Sequence, residues 1–133
     1  MRVWRVAHRT AVYKDFPAGP YAGAKALPAD DAEIVWGLCI DHIGNPHPSP
    51  GADPELGHYI AGHEVCGFNS PDALYEWFDR WTGRLSEAGY IVYEYDSDDA
   101  RVGRYGQTVF DRRTAKLVRS YPLDTKPAQL ALF

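Results

Sequence analysis

The chain has 133 residues, 45% hydrophobic and 24% charged, with a formal net charge of −4 and no low-complexity tract. That composition describes one globular domain whose core needs no metal or disulfide staple, and it excludes a disordered chain. No apolar run approaches the ~18 residues of a membrane-spanning helix, and Met1-Arg2-Val3-Trp4-Arg5 lacks the features of a secretory signal, so a cytoplasmic protein with no membrane partner is expected.

Val3–His8 is short, β-branched and aromatic, and predicts a first strand. Residues 13–24 read as a loop punctuated by Gly and Pro. Pro28 opens a helix with Asp30, Asp31 and Glu33 in its first turns, where the helix dipole favours negative charge. Ile34, Val35, Leu38, Cys39 and Ile43 give that helix a buried face, although the nearly continuous apolar run over 33–40 also fits a strand. Residues 44–58 hold four prolines and three glycines and read as a long loop, a feature that is often functional.

Glu64–Phe68 predicts a short strand. Ser70-Pro71-Asp72 is a helix start with a Ser cap and Pro in the first turn. Leu74, Trp77, Phe78, Trp81 and Leu85 then form one apolar stripe, with Thr82-Gly83 a place to bend or split and Gly89 a left-handed stop. Tyr90–Tyr95 is a strand, Ser97-Asp98-Asp99 a turn, and Gly106–Phe110 with Ala115–Arg119 reads as a hairpin. The order implies an α+β fold: a single small domain, mainly antiparallel sheet with two packed helices, over residues 1–123, and a tether and tail over 124–133.

Charge is unevenly placed. Residues 1–100 carry 7 Lys and Arg against 16 Asp and Glu, while residues 101–119 carry Arg101, Arg104, Arg112, Arg113, Lys116 and Arg119 against Asp111 alone. The basic stretch could approach phosphate or an acidic protein face, or simply be a solvated face balancing an acidic body. The acidic chain as a whole is a poor stand-alone DNA binder, so contact with DNA is expected only indirectly. Cys39 and Cys66 sit among apolar neighbours and read as buried free thiols, a disulfide being the alternative. Of the five histidines, His58 and His63 with Glu64 are the nearest to a cluster, but the spacing matches no common zinc pattern, and no metal is expected. There is no Gly-x-Ser-x-Gly elbow and no phosphate-cradling glycine loop.

Gln129-Leu130-Ala131-Leu132-Phe133, after the polar segment 124–128, resembles the sliding-clamp-binding motif of bacterial replication and repair proteins (Gln-Leu-Ser/Asp-Leu-Phe). A given site matches Gln-Leu-x-Leu-Phe by chance on the order of once in 10⁵. The resemblance implies a DNA polymerase sliding clamp as partner, read by Gln129, Leu130, Leu132 and Phe133, with the cations of 101–119 as a second contact. It implies an accessory or inhibitor protein of bacterial DNA replication, of phage or toxin-like kind. The competing reading is that Leu130, Leu132 and Phe133 cover the domain's own core.

A second resemblance covers most of the globular part. Arg104–Asp111, followed by a basic turn and Lys116-Leu117-Val118, resembles the last motif of ADP-ribosyltransferases, and Phe68-Asn69-Ser70 before the Ala73/Tyr75 helix is similar to their middle motif. His8 stands at the first-motif position, with Gly19-Pro20-Tyr21 in the loop beyond. In that family a first-strand His or Arg orients the ADP-ribose part of NAD, an aromatic stacks on nicotinamide, and a late-strand Glu steadies the cationic sugar. The resemblance therefore implies an NAD cleft at His8, Tyr21, Ser70 and Gln107. The family's Glu is replaced here by Gln107, whose neutral amide cannot offer a full negative charge to an oxocarbenium-like transition state. The resemblance implies an NAD-dependent ADP-ribosyltransferase-like enzyme, active or decayed, with a degenerate or repurposed fold the reading that Gln107 favours. A third reading is a protein-binding module whose 44–58 loop contacts another target.

Overall fold

The computed structural model describes residues 1–22, 27–43, 47–57 and 59–125. Among the described residues eight strands and three α-helices follow in chain order: β1 Arg2–His8, β2 Val12–Tyr13, β3 Phe16–Pro17, α1 Ala29–Asp41, β4 Glu64–Phe68, α2 Pro71–Trp77, α3 Thr82–Glu87, β5 Tyr90–Asp96, β6 Ala100–Val102, β7 Gln107–Asp111 and β8 Lys116–Pro122. The α+β expectation holds: six strands form one antiparallel sheet, in the order β6-β7-β4-β1-β5-β8.

That sheet is two half-sheets joined at one point. β1 pairs with β5 along seven residues, from Arg2↔Asp96 to His8↔Tyr90, but meets β4 only at Trp4↔Phe68. In a flat sheet Tyr95 of β5 and Phe110 of β7 would lie about 14 Å apart, three strand spacings. Their rings are 5.5 Å apart, so the half-sheet β6-β7-β4 folds over the half-sheet β1-β5-β8. Val3, Ala7, Tyr93, Tyr95 and Phe110 fill the space between them. The outer face of β1 and β5 carries the larger core, where Val6 and Val92 meet Val35 and Leu38 of α1 and the helical stripe Leu74, Trp77, Phe78, Trp81 and Leu85.

The stripe over 74–85 is buried as its periodicity implies, but two helices present it. The chain breaks after Trp77 and turns at Arg80, whose φ is 74°. Ser70 caps α2 by accepting a hydrogen bond from the Ala73 N–H at 3.1 Å. Gly89 follows α3 at φ 93°, the left-handed stop expected there. Helix α1 buries Val35 and Leu38 and leaves Ile43, just beyond its end, 80% exposed.

The hairpin expected from 106–110 and 115–119 does not form. β7 pairs with β4 and β6, and β8 pairs with β5 at the far edge of the sheet. Residues 112–115 instead turn the corner between half-sheets, which lets Phe110 reach Tyr95 rather than lie on an exposed ribbon. Two small elements are additional to the expectation: the β2–β3 hairpin within residues 12–17, and the edge strand β6. The described part of the Pro-rich loop folds into 3-10 turns at Pro50–Ala52 and Pro54–Leu56, with Asp53 and Leu56 fully buried.

Candidate functional site

A cleft of about 810 Å³ opens where β1 and β4 part. Its walls come from β1, β4, the end of α1, the end of α2, the β2–β3 hairpin, the 47–52 segment and the turn before β7. A volume of that size suits a small-molecule or cofactor ligand.

Arg5 forms the floor. In β1 its side chain alternates with Val3 and Ala7 on the face turned toward the second half-sheet. Its Nη1 donates to the Cys66 carbonyl at 2.6 Å and its Nη2 to the Pro17 carbonyl at 3.1 Å. The first of these takes the place of the ladder bonds that β1 and β4 lack beyond Trp4↔Phe68. Arg5 is 7% exposed, its Nε is buried without a partner, and among the described residues no carboxylate pairs with it. A Cβ on Gly19 would sit 3.0 Å from Nη2, so the loop beyond β3 approaches the guanidinium closely because position 19 has no side chain. A buried cation without a counter-charge costs several kcal/mol. An anionic group entering the cleft would relieve that cost.

The opposite end is aromatic. Trp77 Nε1–H donates to the Tyr21 hydroxyl at 2.8 Å, and that hydroxyl lies 2.6 Å from His42 Nδ1. The Tyr21 hydroxyl thus links Trp77 to His42, whose other nitrogen, Nε2, lies 4.0 Å from Asp41. His47 stacks on His42 with ring centroids 3.7 Å apart and donates from Nε2 to the Trp77 carbonyl at 3.0 Å. Burial, and then the neighbouring His47, lower the His42 pKa to about 4, so His42 is uncharged at neutral pH. Burial of its hydroxyl also raises the Tyr21 pKa, although the Tyr21 side chain is 45% exposed: the hydroxyl points inward and the ring edge outward. With both imidazoles engaged in this network, among the described residues no group of His, Cys, Asp and Glu is arranged to hold a metal ion.

Gln107 lies on the third side, 3% exposed. Its Nε2 donates to Asp53 Oδ2 at 3.4 Å, and Asp53 also accepts from the backbone N–H of Arg104 at 2.7 Å and of Glu55 at 3.0 Å. A Glu at 107 would set two carboxylates against each other here, so the amide is matched to its neighbour.

Of the four residues expected at an NAD cleft, the structure brings Tyr21 and Gln107 into it and leaves His8 and Ser70 outside. His8 is consumed structurally: Nδ1 accepts from the N–H groups of Thr10 and Ala11 at 3.1 and 2.8 Å, and Nε2 meets the Ala88 carbonyl at 3.0 Å. Ser70 is occupied as the α2 cap. Arg5 and Asp53 are cleft determinants that sequence reading passed over. The available signal was an Arg at an inward position of an otherwise apolar strand, and an Asp before Pro54 in a buried turn.

The six cations of 101–119 do not form one patch. Arg101 pairs with Glu64, Arg113 with Asp111 and Arg119 with Glu94, at 2.8–3.0 Å. Arg112 donates to the carbonyls of Lys14 and Gly62, Arg104 lines the cleft, and Lys116 opens the distant strand β8. Cys39 and Cys66 are free thiols, half-buried rather than fully so, and both line the cleft. His58 and the clamp-motif residues Gln129, Leu130, Leu132 and Phe133 lie outside the described residues.

Fold and site together define a small α+β protein with a ligand-sized cleft between two half-sheets. The chain belongs to the family of the Bacteriophage T4 Y00F protein, whose family model matches residues 1–124. No curated protein and no solved structure matches the chain. Among the described residues no helix is long and apolar enough to cross a membrane.

Proposed function

We propose that this phage-family domain binds NAD in its cleft, as an ADP-ribosyltransferase-like protein acting in the bacterial cytoplasm. The observation that carries the reading is Arg5: a first-strand arginine, 7% exposed, unpartnered at Nε, at the floor of a cleft of about 810 Å³. A first-strand His or Arg is what the ADP-ribosyltransferase resemblance asks for, and Arg5 rather than His8 supplies it. The pyrophosphate of NAD offers the anion that the guanidinium lacks. Tyr21 supplies a ring for nicotinamide, and Gln107 an amide for a ribose hydroxyl. Without a carboxylate at 107, transfer to an acceptor would be slower by on the order of 10²-fold, one electrostatic group's worth. Binding, rather than rapid turnover, is the stronger expectation.

Thermal unfolding with and without NAD tests this. At 100-fold excess over Kd a ligand adds about 2.7 kcal/mol, so millimolar NAD should raise the Tm of the intact chain by several degrees. Arg5→Lys should abolish most of the shift, measured from that variant's own ligand-free Tm, which falls as the paired hydrogen bonds to the Cys66 and Pro17 carbonyls are lost. The absence of any shift at millimolar NAD would sink the reading.

A second reading has its own observation, the pentapeptide Gln129–Phe133, which lies beyond the matched span. Docking of this tail on a sliding clamp would bring the domain to replicating DNA, and would inhibit replication where the polymerase needs the same pocket. Burial of Leu132 and Phe133 contributes about 1.5–3 kcal/mol each before ordering costs, so tail affinity alone is modest. Of the six cations of 101–119, those without a carboxylate partner among the described residues are Arg104, Arg112 and Lys116, which narrows the second contact. Binding to purified clamp should weaken at least ten-fold when residues 129–133 are removed; equal binding by both forms, or none by either, refutes it.

A further inference from the structure

The mouth of the cleft is lined by exposed aromatic and basic side chains. Two elements distant in sequence each present an aromatic beside a cation there: Tyr13-Lys14 at the tip of the β2–β3 hairpin, and Arg104-Tyr105 in the turn before β7. All four side chains are exposed, Tyr13 by 49% and Tyr105 by 52%. Lys14, Asp15 and Tyr105 hold left-handed backbone, with φ of 54°, 59° and 59°. At Lys14 and Asp15 this is the geometry that the two-residue turn of the β2–β3 hairpin requires. The tip of the hairpin is braced from behind, since Arg112 donates to the Lys14 carbonyl at 3.0 Å and to the Gly62 carbonyl at 2.9 Å.

We propose that this mouth binds single-stranded nucleic acid, its tyrosines stacking on unpaired bases and Lys14 and Arg104 meeting the flanking phosphates. Stacking platforms interleaved with cations suit single strands, because every base offers a π-face and a paired base hides it. The acids nearby do not cancel the cations: Glu64 is held by Arg101 at 2.9 Å and by the Ala61 N–H at 2.9 Å, and Asp53 is buried behind the Arg104 backbone. Asp15 is the exposed exception. The acidic remainder of the chain, 7 cations against 16 acids over residues 1–100, repels a long duplex and confines a polyanion to the mouth. The proposal does not depend on NAD filling the cleft.

Fluorescence anisotropy of labelled dT12, U12 and a 12-base-pair duplex with the intact chain, in the absence of NAD, tests it. Either single strand should bind more tightly than the duplex. Two neutralised phosphates give a salt slope of about −1.4, or about seven-fold weakening from 50 to 200 mM salt. Tyr13→Ala with Tyr105→Ala should weaken binding five-fold or more, and Lys14→Gln with Arg104→Gln should flatten the salt dependence. Each variant is compared with its own ligand-free Tm, and Arg5→Lys should lose the NAD-induced shift while keeping oligonucleotide binding, which separates the two readings. No single-strand binding at 50 mM salt, equal or tighter duplex binding, unchanged affinity in the tyrosine variants, or equally tight binding of an acidic peptide would overturn the proposal.

Discussion

The two stacked imidazoles at the aromatic end of the cleft make acid stability sensitive to one residue. Unfolded, His42 has the ordinary value of 6.5; folded, burial and then His47 hold it at about 4. The unfolded chain therefore takes up a proton as pH falls below 6.5 while the folded protein does not. Stability from this group is complete above that pH, falls steadily toward pH 4, and levels off below. The full shift corresponds to roughly 3 kcal/mol. Urea unfolding from pH 7.5 to 4.5 should show the wild type losing about 2–3 kcal/mol more than His42→Gln. Parallel stability curves for the two would show that the imidazole network is not what resists the proton. Asp111 tilts stability the same way at lower pH: the hydrogen bond from Arg113 holds its carboxyl down at about 2, so that ion pair is lost only as pH falls through that value.

Among the elements, β1 and β4 decide whether a cleft exists. Gly67 lies beside their single bridge, and a Cβ there would come within 2.7 Å of both the Trp4 carbonyl oxygen and Val3 Cγ1. Gly67→Ala must push the half-sheets apart at the point where they join. The expected cost is about 1–3 kcal/mol, a Tm drop of roughly 3–12 °C, with loss of any ligand-induced stabilisation. Gly62→Ala meets nothing within 4 Å and should be silent in the same melting experiment. The elements themselves were largely legible locally. β1, β4 and β5 show apolar and aromatic runs, α1 has its Pro and acids at the start, and α2 its Ser cap. The break between α2 and α3 was legible only as a weak spot at Thr82-Gly83, because the left-handed turn falls at Arg80, where nothing in the residue type announces it.

For the whole molecule, strand partnership was the part the sequence could not show. β7 and β8 are separated by four residues, which locally favours a hairpin, yet they do not pair with each other: β7 joins β4 and β6, and β8 joins β5. What decides it is non-local: Phe110 gains the Tyr95 ring and the inter-sheet core only if the chain turns the corner. The same fold disperses the basic segment. A count of charges over 101–119 suggested a patch, but three of its six cations meet buried or half-buried carboxylates, and β6 and β8 are opposite edges of the sheet. The candidate site was half legible for a similar reason. Tyr21 and Gln107 could be placed by motif, whereas Arg5 becomes a floor only once β1 and β4 diverge.

β1 is also the strand at which the two half-sheets join, and both of its neighbours are made late: β4 follows about 60 residues on and β5 about 90 residues on. During synthesis at about 5–20 residues per second, the first strand emerges from the ribosome many seconds before β5 exists to pair with it. Contacts so distant along the chain make for slow closure. Arg5 thus spends that interval as an ordinary solvated arginine, and becomes a buried cation, without a carboxylate partner among the described residues, in the same event that assembles the cleft around it.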